Sequence, residues 1–267
     1  MSYRDGEVSW YDAFTPDQKR REHAKPWTYG AGAMLAEAGA LISLLPPPPL
    51  EVLDAGCAGG HLSHILSLMG YTVTGADICK NVLDEAAKLP VRWNHLESSA
   101  AFQALDFDHL PEETWDAIIF ASALHHSIDR LATLRSCFKA LRPGGILMAS
   151  EPGVGHGESK ISVEWSKKMD VTEKSTPPYS IARDGKKAGF RNIKVYPNPV
   201  TLHKAAYETD ALGHHPAVKF MAGLPMGIAA VTAAKWLHGL TVMWKPGAGN
   251  SATTKTKWAA GHKPANQ

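Results

Sequence analysis

The residues best equipped for chemistry are two adjacent histidines and one glutamate. His125 and His126 follow the apolar run AIIFASAL, and Glu151 follows ILMAS. An imidazole oriented or charge-stabilised by a carboxylate is a general base at neutral pH, able to take a proton from a hydroxyl. A second pattern lies upstream. The stretch EVLDAGCAGG, residues 51–60, ends an apolar run on Asp54 and enters Gly56, Cys57, Ala58 and Gly60. Small residues after a buried strand let backbone amides approach a bound group. VTGAD then places Asp77, followed by Ile78, at the end of the next apolar run.

These residues need a scaffold that brings strand ends together. From residue 51 onward, short apolar runs alternate with segments whose apolar residues recur every three or four positions, the pattern of a sheet covered by helices on both faces. Strands are expected near Glu51–Asp54, Tyr71–Ala76, Phe102–Leu105, Trp115–Phe120, Ile146–Ser150 and Asn192–Tyr196, with helices in HLSHILSLMG, KNVLDEAAKL and IDRLATLRSCFKAL. RPGG, Arg142–Gly145, is expected to stop the third helix before a strand. The fold class is α/β, a doubly wound Rossmann-like sheet.

Four parts follow from this reading. Residues 1–49 are an N-terminal helical cap ending in the stiff run Pro46–Pro49, with Trp10, Tyr11, Phe14, Trp27 and Tyr29 available for core packing or for closing over a ligand. Residues 50–197 are the ligand-binding core. Residues 198–237 are too long for an ordinary connection and read as an inserted lid or docking element. Residues 238–267 hold a last strand and a basic tail.

With an acid two residues ahead and small residues at alternate places, DAGCAGG departs from the dinucleotide-binding pattern. It resembles the first motif of the class I S-adenosylmethionine-dependent methyltransferases, and the resemblance extends over residues 50–150 because further motifs recur in order. It implies S-adenosylmethionine as cofactor, bound around Asp54, Gly56, Cys57, Ala58, Gly60, Ile78, Phe107 and Ala121. Asp77 would take the ribose hydroxyls, and Asp106, in ALDFDHLP, the neighbourhood of the adenine amino group. WDAIIFASALHH and LRPGGILMASEP are similar to the fourth strand with its loop and to the fifth strand. Ala58 stands where the family more often has glycine.

The same resemblance points to a methyltransferase acting on a hydroxyl of a small molecule: a sugar, a glycolipid or a secondary metabolite. His125 is expected to take the proton, Glu151 to support it, and His126 to stand as second candidate. Methylation of a small amine and a non-catalytic cofactor-binding scaffold are the alternatives. His156, in EPGVGHG, is a secondary base candidate, and His61 and His64 are expected to pack rather than to ligate. No metal is expected, because the clustered acids of metal-dependent relatives are not visible. The D/N-P-P-Y/F motif of nucleic-acid amino methyltransferases is replaced by ASAL, which argues against a nucleic-acid substrate.

Composition adds little beyond limits. The net charge is +2, but no acid follows Asp210, where six lysines remain. The uncharged run Phe220–Ala234 and its flanking lysines and tryptophans suit peripheral membrane contact through residues 217–258. Cys57, Cys79 and Cys137 are too dispersed for a disulfide framework or a zinc site. No run is long enough for a membrane span, and MSYRDGEVSW lacks the form of a signal peptide, so a cytoplasmic protein is expected. The sequence leaves the oligomeric state open.

Overall fold

The structure, a computed structural model, describes residues 5–24, 31–89, 91–198, 234–236 and 239–247. The helices are α1 (Asp5–Ser9), α2 (Pro16–Ala24), α3 (Ala31–Leu44), α4 (His61–Leu68), α5 (Lys80–Ala86), α6 (Arg130–Ala140), α7 (Lys160–Met169) and α8 (Pro178–Ala188). The strands are β1 (Glu51–Ala55), β2 (Thr72–Asp77), β3 (Arg92–Trp93), β4 (Leu96–Glu97), β5 (Ala101–Ala104), β6 (Trp115–Ala121), β7 (Leu141–Ser150), β8 (Arg191–Pro197) and β9 (Gly239–Trp244).

Side chains alternate across a strand, so a run that is apolar throughout must be covered on both faces. Leu53 and Ala55 of β1, Ile118 and Phe120 of β6, and Leu147 and Ala149 of β7 face one core layer with α6 and α8. Val52, Ala117, Ile119, Ile146 and Met148 face the other, where Ala38 and Leu41 of α3 and Leu62 and Leu66 of α4 meet them. Each fully buried Val, Leu, Ile, Phe or Met among them stabilises the fold by about 1.5–3 kcal/mol. The helix α3 thus belongs to the sheet's own core, although it precedes the first strand.

The seven-stranded sheet runs β5-β2-β1-β6-β7-β9-β8. Its first five strands are parallel, while β9 lies antiparallel between β7 and β8. The doubly wound sheet is therefore mixed at one edge. RPGG does not precede β7 but falls inside it, as an irregularity in its pairing with β6. The strand order reverses between β1 and β6, which marks the carboxyl ends of these strands as the place for a ligand.

Among the described residues, no helix is long and apolar enough to cross a membrane. Trp27, Tyr29, most of the expected inserted element and most of residues 217–258 lie outside the described residues.

Candidate active site

At the end of β1 the backbone passes through left-handed conformations at Gly56 (φ 77°), Ala58 (φ 46°) and Gly60 (φ 75°). A Cβ on Gly56 would stand 2.2 Å from that of Ala123, and one on Gly60 would stand 2.6 Å from the Phe102 ring. Conformation and space both demand glycine at these two positions. The turn is tied to β2 by the N–H groups of Gly56 and Cys57, which donate to the Ala76 carbonyl at 2.7 and 2.9 Å.

Asp77, the last residue of β2, closes the turn from the other side. Its carboxylate accepts the Ala58 N–H at 3.1 Å and the Cys79 N–H at 2.9 Å. Burial outweighs these two bonds and raises its pKa to about 6. Asp54 is also raised to about 6 by burial, and it accepts the Ser63 hydroxyl at 2.6 Å, bracing β1 against α4.

A cavity of about 270 Å³ opens above this turn. Gly56, Ala58, Asp77, Ile78 and Phe107 line one end; Ser122, Ala123 and His126, just past β6, line its floor. The remaining wall comes from distant parts of the chain: Glu7, Trp10, Phe14 and Glu22 from the N-terminal helices, Trp165 from α7, and Val171 and Glu173 beyond it. Phe14 and Trp165 meet edge to face with ring centroids 6.1 Å apart. Tyr11 turns away from the cavity into a small core with Cys57, Cys79, Val82 and Leu83.

Glu151 organises the floor. Its buried carboxylate accepts the backbone N–H groups of Ala123 (3.0 Å), Leu124 (2.8 Å) and His125 (3.2 Å), and also binds His125 Nδ1 at 2.9 Å. A carboxylate can only accept, so Nδ1 carries the hydrogen. The His125 ring is 5% exposed, with Nε2 3.6 Å from Glu173 Oε2. Burial lowers its pKa despite the adjacent Glu151. The neighbouring His126 packs against it, with ring centroids 4.1 Å apart and Nδ1 3.4 Å from Glu7 Oε2. Burial opposes the His126 cation, but Glu7, Glu173 and Glu151 together hold its pKa above the ordinary imidazole value. His156 Nε2 lies 2.6 Å from Glu173 Oε2. Burial works against the Glu173 carboxylate, yet the hydrogen bond from His156 and the three imidazoles keep its pKa low.

Of the residues expected from the sequence, Gly56, Ala58, Asp77, Ile78, Phe107 and His126 reach the cavity. The expected base, His125, does not line it: Glu151 pulls the ring behind the wall, and His126 takes the exposed position. Glu151 itself is a positioning residue. Cys57 is buried beneath the turn, and Ala121 packs on a core layer. Asp106 caps the short turn Phe107–His109, accepting the Asp108 N–H at 2.9 Å. His64 bonds Ser98 at 2.7 Å, as a packing residue does. Glu7, Trp165, Val171 and Glu173 escaped the sequence reading. Nothing local marks them, since each reaches the cavity only through the tertiary fold.

The donor set suits S-adenosylmethionine. The left-handed turn leaves backbone bare where a chain of methylenes can lie, and Asp77 sets an acceptor at the cavity's edge for hydroxyl groups. Residues 53–149 match the family described as Methyltransferase domain. The ubiquinone biosynthesis O-methyltransferase of Dinoroseobacter shibae is 33% identical over 108 residues, 38% of this chain and 40% of that protein. That of Psychrobacter arcticus is 35% identical over 108 residues, with the same shares. The chain thus spans about two fifths of the length of these curated relatives. Among solved structures, the S-adenosylmethionine-dependent methyltransferase of Mesorhizobium loti superposes with a TM-score of 0.54 at 17% identity, over 78% of this chain and 96% of that one. Phosphoethanolamine N-methyltransferase 2 of Haemonchus contortus, in complex with S-adenosyl-L-methionine, gives 0.51 at 17%, over 90% and 56%. At such identity these likenesses speak for the fold alone.

Proposed function

We propose that this chain, whose residues 53–149 form a class I S-adenosylmethionine-dependent methyltransferase domain, is an enzyme that methylates a hydroxyl of a small molecule. One observation carries the reading: a single cavity joins the Gly56–Asp77 cradle to His126 and Glu173. The curated relatives named as O-methyltransferases support the choice of oxygen.

S-adenosylmethionine, when bound, supplies an electrophilic methyl on a sulfonium centre. Gly56, Ala58, Asp77, Ile78 and Phe107 would hold it. The chain's further task is to align the acceptor and accept its proton. His126 stands on the cavity wall for that role, charge-stabilised by Glu7 and Glu173 and kept in place by the turn that Glu151 clamps. Trp10, Phe14 and Trp165 offer a flat apolar wall, suited to a sugar-ring face, an aromatic ring or a lipid-linked group. In this reading α1 and α2, the part of residues 1–49 that reaches the cavity, act as a cap over the site, and the acid-free segment 217–258 is the part available for contact with a membrane surface.

The test is a transfer screen with labelled S-adenosylmethionine over sugars, lipid-linked glycans, aromatic alcohols and simple amines, with His126→Ala alongside. A hydroxyl acceptor whose turnover falls by about 10²–10⁴ in the variant is the expected result. Turnover of an amine with the variant unaffected would move the assignment to N-methylation. Cofactor binding with no acceptor turned over would make the protein a scaffold.

A further inference from the structure

Around His126 and Glu173 of the cavity wall the chain gathers more imidazole and carboxylate than removal of one proton requires. His125 and His126 follow β6, His156 lies in the loop after β7, and Glu173 comes from beyond α7. One donor atom each from His125, His126 and Glu173 falls within 4.8 Å of the others. Because His125 Nδ1–H is committed to Glu151, its Nε2 turns a lone pair toward Glu173 Oε2 at 3.6 Å. Both atoms are acceptors, and they face each other beyond hydrogen-bond distance. Glu173 Oε2 also accepts from His156 Nε2 at 2.6 Å. His126 Nδ1 is buried without a hydrogen bond, 3.4 Å from Glu7 Oε2.

We propose that His125, His126 and Glu173 bind a divalent transition-metal ion. Two imidazoles and one carboxylate form a donor set used by catalytic zinc sites, which keep a fourth position open. Here His126 and Glu173 both line the cavity, so that open position faces the acceptor. A tetrahedral ion with bonds of about 2.0–2.1 Å sets its donors about 3.4 Å apart, close to the 3.6 Å already separating His125 from Glu173. The carboxylate behind His125 is the usual outer support of a ligating histidine, fixing its tautomer and ring orientation. Imidazole-rich sites favour zinc, iron or cobalt over magnesium or calcium. The sequence suggested no metal because the acid required, Glu173, is nowhere near the histidines along the chain.

This goes beyond methyl transfer and does not depend on it. Ligand and free base are alternative uses of His126, so turnover with and without a chelator separates them. The direct test is optical. Cobalt(II) is titrated into the metal-stripped full chain and followed by its visible absorption, with zinc added afterward as competitor. One equivalent with a tetrahedral-type band, displaced by zinc, is expected. Glu173→Gln, checked as folded by its thermal melt, should weaken binding by at least about tenfold, and Glu151→Gln should weaken it by about 10–100-fold. Absence of the band, or equal binding by the wild type and Glu173→Gln, overturns the proposal; the second result assigns uptake to other histidines. S-adenosylmethionine affinity, measured separately on the wild type, shows whether the cofactor reading stands when the metal reading falls.

Discussion

The cofactor end of the cavity is built from two short segments, residues 56–58 and 77–78, with Phe107, and largely from backbone; the acceptor end draws single side chains from α1, α2, the turn after β6, α7 and the segment beyond it. At the first end the geometry is held by N–H groups: Gly56 and Cys57 on Ala76, and Ala58 on Asp77. At the second it is held by carboxylates, with Glu151 gathering three N–H groups and an imidazole, and Glu7 reaching both Thr172 N–H at 2.6 Å and His126. A backbone turn is a general device for binding one common cofactor. A set of side chains from remote elements can be changed one at a time, which is where acceptor choice belongs.

The largest effect that would break this contrast is expected at the acceptor end. Glu151→Ala leaves a buried imidazole and three backbone donors without their acceptor. Leaving buried donors unsatisfied costs about 1–3 kcal/mol each, so a loss of about 3–5 kcal/mol is expected, or about 10 °C in Tm for a chain of this size. Urea denaturation checks it, and Glu151→Gln, which keeps one acceptor oxygen, should cost less. A loss under about 1 kcal/mol would mean that the turn after β6 holds itself, and that the two ends do not differ in this way.

At the cofactor end the corresponding variant is Asp77→Asn, which should weaken S-adenosylmethionine by about 10–100-fold, the scale of losing hydrogen bonds to a charged group. It has a pH signature. The folded carboxyl titrates near 6, above its unfolded value near 3.8, so the folded state binds the extra proton and stability falls as pH rises between the two. Hydroxyl donors of the cofactor favour the ionised form, so cofactor affinity should rise from pH 5 to pH 7, with its midpoint near 6. Calorimetry across that range checks it, and the Asn variant should flatten the curve. A flat wild-type profile would remove Asp77 from cofactor binding.

The same contrast explains what the sequence made visible. The strands were legible because β1, β6 and β7 are apolar on both faces, and DAGCAGG was legible because its chemistry is contiguous. Residues 160–188 carry a helical periodicity diluted by polar residues, and no helix was expected there. In α7, Ile161, Trp165 and Met169 recur every four residues, but Val163 falls between them and the other positions are polar, which blurs the stripe. In α8, Gly185 interrupts the pattern because a Cβ there would stand 2.6 Å from Met243 Sδ; the helix lies that close to β9. Choosing between His125 and His126 was equally out of reach, since it depends on which ring Glu151 holds, and Glu151 lies 26 residues from His125 along the chain.

The smallest effect sharpens the contrast most closely. Ala58 sits at φ 46°, where a side chain costs about 1–2 kcal/mol relative to the right-handed region. Glycine removes that strain but gives the unfolded chain freedom worth about 0.5–1 kcal/mol, so Ala58→Gly should change stability by no more than about 1.5 kcal/mol. Its methyl also lines the cavity, and losing one buried methyl contact is worth about 0.8 kcal/mol, or about fourfold in affinity. S-adenosylmethionine binding should therefore move by no more than about fivefold, against the larger fall for Asp77→Asn. A greater shift in the glycine variant would mean that a side chain sets the cofactor's place even at this end, and that the distinction between a backbone-built and a side-chain-built half does not hold.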